Sequence, residues 1–221
     1  MNKSDIPDEV ICRLFIYARS LDTFKEEGKY NFSSEDIANR LHLKPTLVRK
    51  DFSYIGQLGK RGVGYNTREV LKKIKKIAFP GKEKKVALIG VGQLGSALLN
   101  YYGFKAQGFK IAAAFDKDEE KIGEIVSEVK VEDIKKFKER IREEKIKIAI
   151  IAVPPEEVPG VINLTKDTGI EAVLNFTPSY MLPLDEFSDD FILRNIDLAS
   201  ELARLSYYSM KKSKRFETAK D

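Results

Sequence analysis

Histidine and cysteine are almost absent from this 221-residue chain, which contains only His42 and Cys12. A single cysteine excludes an internal disulfide and the cysteine pairs of structural zinc sites. A single histidine leaves almost nothing for a histidine-based triad, metal site or proton relay. We therefore expect no metal, and any catalysis would rest on carboxylates, lysine, tyrosine or a cofactor.

Long apolar runs and a targeting segment are missing as well. No run approaches the roughly 20 apolar residues of a membrane span, and residues 1–10 lack the basic-then-apolar order of a signal peptide. Hydrophobic residues make up 43% of the chain and charged residues 33%, which is typical of a well-cored globular protein. These features predict a soluble cytoplasmic protein.

Positive charge is concentrated near the N-terminus. Residues 1–80 contain 16 basic and 10 acidic side chains, whereas residues 81–221 contain 23 and 24. Between positions 44 and 76 there are ten basic residues and two acidic ones. This asymmetry indicates an N-terminal unit that meets a polyanion. A solvated helix face accounts for the lysines at 72–76 but not for the pattern upstream.

Two helix starts are visible in the N-terminal part. Apolar residues recur at helical spacing over about 8–24. A second, short helix ends near Leu41 and begins with a capping box, in which Ser33 caps the helix and Asp36 stands at its third position. A turn with His42 follows, and we expect this histidine to be only a turn residue.

A third helix is predicted from Pro45 to Gly56, and it has two distinct faces. The apolar face consists of Val48, Phe52 and Ile55. The outward face carries hydroxyls and cations: Thr46, Arg49, Lys50 and Ser53. Two short helices joined by a tight turn predict a helix-turn-helix, whose second helix fits the major groove of DNA.

A glycine-rich stretch, Gly56 to Tyr65, follows this helix and has a Lys60-Arg61 tip. Glycine permits a tight hairpin, and a small basic tip can enter a narrow minor groove. A phosphate-binding loop is a weak alternative, because the Gly-Lys-Ser/Thr ending and a preceding strand are missing. A basic interaction module remains a second alternative. The candidate DNA-binding residues are Ser33, Thr46, Arg49, Lys50, Ser53, Tyr54, Lys60, Arg61 and Gly62.

A dinucleotide-binding pattern opens the C-terminal part. The apolar strand 85–89 leads into a Gly-x-Gly-x-x-Gly loop at 90–95, and a helix is predicted from Ser96 to Tyr102. In this context the glycines let the backbone approach a pyrophosphate at the helix N-terminus. A second strand ends in Asp116, where a carboxylate holds ribose hydroxyls and repels the extra phosphate of NADP. A cap on the next turn is the alternative role for Asp116.

Strands and helices continue to alternate. We predict helices over 132–144 and 156–168, and strands over 146–153 and 170–176, which together indicate a parallel sheet with ligands at the carboxyl ends of its strands. Asn175 could equally cap a loop. The candidate cofactor-binding residues at the loop and strand ends are Gly90, Val91, Gly92, Gln93, Leu94, Gly95, Asp116, Val153, Pro154, Asn175, Phe176, Thr177 and Pro178.

No catalytic group accompanies this cofactor pattern. Tyr101 and Lys105 have the Tyr-x-x-x-Lys spacing of short-chain dehydrogenases, but that pair lies far downstream of the glycine loop in those enzymes. Here Tyr101 follows Gly95 by six residues, on the predicted first helix. With no histidine or separate substrate domain to donate a proton, the cofactor is interpreted as a signal and the protein as a non-enzyme.

The last helix is predicted to open at Asp197, with Leu198, Leu202 and Leu205 on one stripe. It could pack on its own sheet, but a repressor that reads a palindrome needs two-fold symmetry, so we favour a dimerisation helix. The polar segment 211–221 is expected to fray.

The predicted fold class is α/β overall, with two domains and a terminal segment. A winged helix-turn-helix domain spans 1–80, and the Pro80-Gly81 turn marks its end. A Rossmann-type, doubly wound parallel sheet that binds NAD(H) spans 81–196. The C-terminal dimerisation helix and polar tail span 197–221.

The sequence resembles the Rex family of redox-sensing transcriptional repressors over about residues 6–210. The segments that carry the resemblance are Ser33-Ser34-Glu35, Val48-Arg49-Lys50-Asp51-Phe52-Ser53-Tyr54, Arg61-Gly62-Val63-Gly64-Tyr65, Gly90-Val91-Gly92-Gln93-Leu94-Gly95-Ser96-Ala97-Leu98, Leu174-Asn175-Phe176 and Leu205-Ser206. Ordered matches in both domains are specific. Gln93 stands where some relatives carry arginine in the glycine loop, so the resemblance implies different contacts to the pyrophosphate here.

The resemblance implies a homodimer with swapped C-terminal helices that represses genes by binding double-stranded, palindromic operator DNA. It implies that NADH releases the DNA and that NAD+ permits binding. It also implies that Tyr101 contacts the cofactor and acts in a switch with Arg13 and Asp197, in which Arg13 pairs with Asp197 of the other subunit. From the residues alone, these three are a solvated arginine, a helix-surface tyrosine and a helix cap.

Two other functions compete with the NADH-responsive repressor. One is an NAD-dependent oxidoreductase whose N-terminal domain only aids assembly. The other is a sensor of another adenine nucleotide or of acyl-CoA in the same cleft.

Overall fold

The computed structural model describes residues 6–56, 58–59, 64–78, 83–178, 185–188 and 191–217. The chain divides into two units, residues 1–83 and 84–221, so the division lies three residues after the one predicted from Pro80-Gly81. The C-terminal helix, predicted as a separate segment, belongs to the second unit.

The N-terminal unit is helical with one short antiparallel strand pair. Its elements are α1 (Asp8–Glu26), β1 (Asn31–Phe32), α2 (Ser34–Leu41), α3 (Pro45–Tyr54), β2 (Tyr65–Asn66) and α4 (Thr67–Ala78). The helices enclose an apolar core whose largest fully buried side chains include Tyr17 and Phe52. A helix-turn-helix followed by a paired strand is the predicted winged-helix arrangement, which the structure confirms.

The local signals at α2 and α3 act as the sequence predicts. The Ser33 hydroxyl accepts a hydrogen bond from the Asp36 N–H at 3.1 Å, and the Asp36 carboxylate accepts one from the Ser33 N–H at 2.6 Å. Pro45 occupies the first turn of α3. The helix ends at Tyr54, two residues before the predicted Gly56. His42 adopts a left-handed conformation (φ 53°) and ends α2 as the expected turn residue.

The strand that follows the predicted wing pairs with a segment before α2. Asn66 lies opposite Asn31, and Tyr65 opposite Phe32. Gly59 and Gly64 lie against each other, which brings the two sides of the glycine-rich loop together. The Lys60-Arg61-Gly62 tip lies outside the described residues.

An eight-stranded sheet forms the centre of the C-terminal unit. Its strands are β3 (Lys84–Ile89), β4 (Phe109–Asp116), β5 (Ile125–Val126), β6 (Val129–Asp133), β7 (Ile148–Ile151), β8 (Ala172–Asn175), β9 (Asp185–Phe187) and β10 (Ile192–Asn195). The spatial order is β5-β6-β4-β3-β7-β8-β10-β9. The six inner strands are parallel, and the two outer pairs are antiparallel.

Helices cover both faces of this sheet. They are α5 (Gln93–Leu99), α6 (Tyr102–Ala106), α7 (Phe137–Glu144) and α8 (Val158–Lys166). The terminal helix, α9 (Leu198–Glu217), follows β10 and is exposed along residues 198–210. Along β3, Val86 and Leu88 pack in the core that contains the α5 leucines, whereas Ala87 and Ile89 pack in the core that contains residues of α7 and α8. Two cores on opposite faces of one parallel sheet confirm the doubly wound, Rossmann-type prediction.

The predicted helix over 132–144 is wrong in its first part. Residues 129–133 form β6, which pairs with β4 and with β5, and Val131 is fully buried. Ser127 and Glu128 form the turn of the β5–β6 hairpin and both have positive φ angles. Neither residue type is typical of such a turn, so the sequence did not predict it. The α-helix starts only at Phe137, after a 3-10 turn that Asp133 caps.

The predicted helix over 96–102 is also wrong, because it is two helices. α5 starts earlier, at Gln93, and ends at Leu99, and α6 starts at Tyr102. Tyr101 lies in the break with an extended backbone, and its ring turns over Gly103 and onto Phe104 at a centroid distance of 5.0 Å. It is therefore 57% exposed in a helix break and does not lie on a helix surface.

Three further predicted elements of this unit are shorter than expected. The strands predicted over 146–153 and 170–176 span Ile148–Ile151 and Ala172–Asn175, and the helix predicted over 156–168 is a 3-10 turn followed by α8. The terminal helix is longer. α9 continues to Glu217, which corrects the expected fraying from residue 211.

Candidate functional site

The glycine loop at the end of β3 is tightly packed on one side and open on the other. Gly90 has φ +92°, and a Cβ there would overlap the backbone of Ala152 at the end of β7. A Cβ on Gly95 would overlap the carbonyl of Gly90, so α5 sits directly against the loop. A Cβ on Gly92 would meet nothing within 4 Å. The open side at Gly92 is where a ligand can approach the backbone.

A cavity of about 470 Å³ lies at the carboxyl ends of β3, β4 and β7. It is lined by Ile89, Gly90, Gly92, Asp116, Lys117, Asp118, Lys121, Ile134, Ala152, Val153, Pro154, Glu157 and Val161. This volume suits a nucleotide-sized ligand. The carboxyl ends of parallel strands are the expected place for such a cavity.

Asp116 holds the cavity wall to the glycine loop. Its carboxylate accepts hydrogen bonds from the N–H of Val91 at 2.8 Å and from the N–H of Asp118 at 3.0 Å. Burial alone would raise the pKa of Asp116, but these two N–H groups and the charge of Lys121 together lower that pKa below its ordinary value. The side chain is therefore an anion. Asp116 lines the cavity, as predicted, and it also caps the turn after β4, which was the alternative role.

The structure brings five predicted cofactor residues together around this cavity: Gly90, Gly92, Asp116, Val153 and Pro154. The other predicted residues are not among the described lining residues, namely Val91, Gln93, Leu94, Gly95, Tyr101, Asn175, Phe176, Thr177 and Pro178. Val91 and Gly95 shape the loop without lining the cavity. Val91 donates its N–H to Asp116, and Gly95 packs against Gly90. Gln93 and Leu94 are exposed in the first turn of α5.

Asn175 acts as a loop cap, the second of the two roles that its sequence position allowed. It is fully buried, and its amide bonds to the backbone of Thr177 and to the Asn195 side chain at 2.7 Å. The Thr177 hydroxyl donates to the Val153 carbonyl at 2.7 Å. This network fixes the ends of β7, β8 and β10 relative to one another.

Sequence reasoning missed four charged lining residues: Lys117, Asp118, Lys121 and Glu157. Lys117 and Asp118 directly follow Asp116, so their place after a strand was a usable signal. Glu157 gave none, because its contact with Lys117 joins positions 40 residues apart.

In the N-terminal unit, α3 exposes the polar face that was predicted. Thr46, Arg49, Lys50 and Ser53 are exposed, whereas Val48 and Phe52 are buried. Their spacing on one solvent-facing side of a ten-residue helix fits a recognition helix.

Four of the predicted DNA-contacting side chains already have partners within the unit, among them Ser53, whose hydroxyl donates to the Lys50 carbonyl at 2.6 Å. The Arg49 guanidinium donates to the Ser34 hydroxyl at 2.8 Å and to the Glu35 carboxylate at 3.3 Å. The Ser33 hydroxyl belongs to the α2 cap, and Tyr54 packs against the core. The contact between Arg49 and α2 holds the two helices of the motif together.

Arg13 differs from the solvated arginine expected from its residue pattern. Its guanidinium makes a two-point ion pair with the fully buried Asp51 of α3, at 2.6 and 3.0 Å. The Tyr17 hydroxyl donates to the same carboxylate at 2.6 Å, and burial followed by this bond raises the pKa of Tyr17. Asp51 therefore ties the recognition helix to α1, which nothing in the local sequence indicated.

Asp197 caps α9, as its residue type predicts. Its carboxylate accepts from the N–H groups of Ala199 and Ser200 and from the Ser200 hydroxyl at 2.5 Å. α9 exposes large apolar side chains, each 56–68% exposed: Leu198, Leu202 and Leu205 form an apolar row at helical spacing, and Tyr207, Tyr208 and Met210 follow them. The pairing of Asp197 with Arg13 of another subunit stays a prediction.

Within the described ranges, no helix combines the length and apolar character needed to cross a membrane. The side chains described there contain no group of three or more His, Cys, Asp or Glu residues that could hold a metal ion.

A winged-helix unit followed by a Rossmann-type unit with a nucleotide-sized cavity defines the class of ligand-responsive transcription regulators. Two family models match the corresponding parts of the chain. "Putative DNA-binding protein N-terminus" matches residues 5–53, and "CoA binding domain" matches residues 81–179.

Relatives identify the family within this class. A protein of Chloroflexus aurantiacus is 37% identical over 94% of this chain and 97% of its own length, and one of Lactobacillus gasseri is 38% identical over 94% and 95%. Both are redox-sensing transcriptional repressors Rex. The chain belongs to the Rex family of redox-sensing transcriptional repressors, as its sequence motifs predicted.

Solved structures extend the similarity to the whole fold. The repressor RSP of the Rex family, in complex with NAD+ and operator DNA, superposes with a TM-score of 0.87 and is 28% identical over 98% of each chain. RSP in complex with NADH has a TM-score of 0.82 and 27% identity over 97% of this chain and 99% of its own.

Proposed function

We propose that this protein is a repressor that binds inverted-repeat operator DNA and is released from it by NADH, whereas NAD+ permits binding. One observation carries the proposal: a single chain combines an exposed hydroxyl-and-cation face on α3 with an acidic, glycine-edged cavity. The relatives, which are Rex repressors, and the RSP complexes with both nucleotides and with operator DNA support it.

The cavity residues fit a nicotinamide dinucleotide. The open side of Gly92 leaves room for a pyrophosphate next to the backbone, where a Cβ would stand in its way. Asp116 offers carboxylate oxygens to the adenosine ribose. Val153 and Pro154 follow β7 and would line the nicotinamide end. The bound nucleotide supplies only the redox signal, and no residue here is assigned a catalytic role.

A homodimer completes this proposal. The apolar row on α9 needs a partner surface, and a two-fold axis matches a palindromic operator. We assign the switch to Arg13, Tyr101 and Asp197, with α9 exchanged between subunits. Such a regulator works in the cytoplasm, where its DNA and nucleotides are found.

The switch is a shift between two dimer states. NADH must bind the DNA-incompetent state more tightly than the DNA-competent one, since a ligand with equal affinity for both would shift nothing. NAD+ and NADH share the adenosine and phosphate contacts. Discrimination therefore arises at the nicotinamide ring, which is charged in NAD+ and neutral in NADH.

The test is fluorescence anisotropy of a labelled palindromic promoter fragment, titrated with the full chain at fixed salt in the presence of NAD+ or NADH. We expect release by NADH and none by NAD+. Equal DNA binding with either nucleotide would contradict the NADH switch and favour an acyl-CoA sensor. The match to the CoA binding domain model is the reason to consider that alternative. Turnover of NADH with a small substrate would favour an oxidoreductase.

Lys50→Ala is expected to weaken operator binding, because it removes a cation from the exposed face of α3. A good contact to a base edge contributes roughly 1–3 kcal/mol, which corresponds to about a 5- to 150-fold loss of affinity. Fluorescence anisotropy with the labelled operator measures this loss. The affinity for NADH, measured by fluorescence titration, is expected to be unchanged. Lys25→Ala, an exposed lysine of α1, is the control. Equal losses in both variants would show that α3 has no special role.

Asp116→Ala is expected to weaken NADH binding about tenfold or more, since a hydrogen bond to a charged group contributes roughly 1.5–3 kcal/mol. NADPH binding should suffer less, so the preference for NADH falls. Nucleotide fluorescence titrations measure both constants. Asp116→Asn preserves the shape and tests the charge alone, and the exposed neighbour in Glu119→Ala is the control. An unchanged NADH preference would remove Asp116 from the ribose position.

A further inference from the structure

Five charged side chains lie around one end of the cavity: Asp116, Lys117, Asp118, Lys121 and Glu157. Three are carboxylates and two are ammonium groups, so this end carries an excess of one negative charge. A cavity that held a phosphate here would be expected to have free cations pointing at it.

Neither lysine in the cavity is a free cation. The Lys121 ammonium lies 3.5 Å from the Asp116 carboxylate and 3.3 Å from that of Asp118. The Lys117 ammonium lies 2.8 Å from the Glu157 carboxylate. The hydrogen bond from Lys117 to Glu157, followed by the charge of Glu157, raises the pKa of Lys117. Each ammonium group is thus neutralised by an acid within the cavity.

The pair between Lys117 and Glu157 joins two elements that line the cavity. Lys117 directly follows β4 and Asp116, whereas Glu157 belongs to the 3-10 turn between β7 and α8. A lysine just after the acidic strand end stands where a cation meets a phosphate on the adenosine ribose. Glu157 follows β7, which lies on the other side of β3 from β4, and its carboxylate pairs with that cation.

We propose that Glu157 is a second determinant of specificity, which together with Asp116 restricts the cavity to nucleotides whose adenosine ribose carries no phosphate. This inference rests on the proposed NADH function and deepens it. Asp116 repels a ribose phosphate directly. Glu157 acts by pairing with Lys117, which would otherwise attract that phosphate.

The expected effect is moderate, because the Lys117 side chain is 68% exposed and that of Glu157 25%. Exposed ion pairs of this kind change an equilibrium by about 1.4- to 5-fold. The effect should also shrink as ionic strength rises, since the Debye length falls from about 10 Å at 0.1 M salt to about 3 Å at 1 M.

The experiment compares the wild-type chain with Glu157→Gln by fluorescence titration with NADH and with NADPH at low salt. We expect the ratio of the NADPH to the NADH dissociation constant to fall about threefold in Glu157→Gln. Adding Lys117→Met to this variant should reverse the fall. The matched control is Glu156→Gln, which alters the exposed neighbour in the same turn and should leave the ratio unchanged.

The outcomes separate this inference from the function on which it rests. If wild type binds NADH and Glu157→Gln leaves the ratio unchanged, the role of Glu157 is overturned and the NADH function stands. A fall that persists after Lys117→Met overturns it too, because the effect does not then pass through Lys117. A wild-type chain that binds neither nucleotide overturns both.

Discussion

Asp51→Ala is expected to destabilise the N-terminal unit by about 3–5 kcal/mol, because it breaks a buried ion pair and leaves one partner without compensation. The Asp51 carboxylate is fully buried and accepts three hydrogen bonds, two from Arg13 and one from Tyr17. Without it, the partly exposed guanidinium and the buried phenol lose their shared acceptor. Chemical denaturation followed by circular dichroism measures the change.

A matched control is Asp22→Ala, which removes a carboxylate from an exposed pair with Lys75 at 3.4 Å. Pairs of that kind contribute about 0.2–1 kcal/mol. Equal losses for Asp22→Ala and Asp51→Ala would show that the buried network adds nothing. The triple change Arg13→Met, Tyr17→Phe and Asp51→Leu replaces the whole network by apolar groups and should recover much of the stability.

Asp51→Ala is also expected to weaken DNA binding. Asp51 lies on α3 between the outward residues Lys50 and Ser53, but its side chain points inward to α1. Loss of this connection frees α3 to shift, so operator affinity should fall even at temperatures where the folded fraction is still high.

Much of the fold follows from local signals. The box of Ser33 and Asp36 sets the start of α2 within four residues of sequence, and the glycine loop joins a strand to a helix at adjacent positions. The cavity residues Gly90, Gly92 and Asp116 were predictable for the same reason, since each stands at the end of a recognisable strand.

The parts that sequence could not predict depend on distant partners. Glu132 and Asp133 were predicted to open a helix but end strand β6, because this segment pairs with β4, with Val131 beside Ala114. The sequence shows Asp51 only as an acidic residue of α3, because its partner Arg13 lies 38 positions away. Local propensity is a weak guide wherever long-range pairing supplies the free energy.

Gly90→Ala is expected to destabilise the C-terminal unit by about 2–5 kcal/mol. A left-handed backbone costs a residue with a Cβ roughly 1–2 kcal/mol, and overpacking typically adds about 1–3 kcal/mol. Gly90 meets both conditions, with φ +92° and the backbone carbon of Ala152 only 2.7 Å from the added Cβ. Thermal denaturation measures the stability, and fluorescence titration should show loss of NADH binding as β3 and β7 move apart.

Two glycines separate the contributions. Gly123 has φ +96° with nothing within 4 Å of an added Cβ, so Gly123→Ala should show the backbone cost alone. Gly92 has φ −76° and open space, so Gly92→Ala should fold normally and lose NADH affinity, because its methyl group enters the space assigned to the pyrophosphate. If Gly90→Ala costs no more than Gly123→Ala, the contact with Ala152 does not constrain the loop. If Gly92→Ala binds NADH as wild type does, the pyrophosphate lies elsewhere.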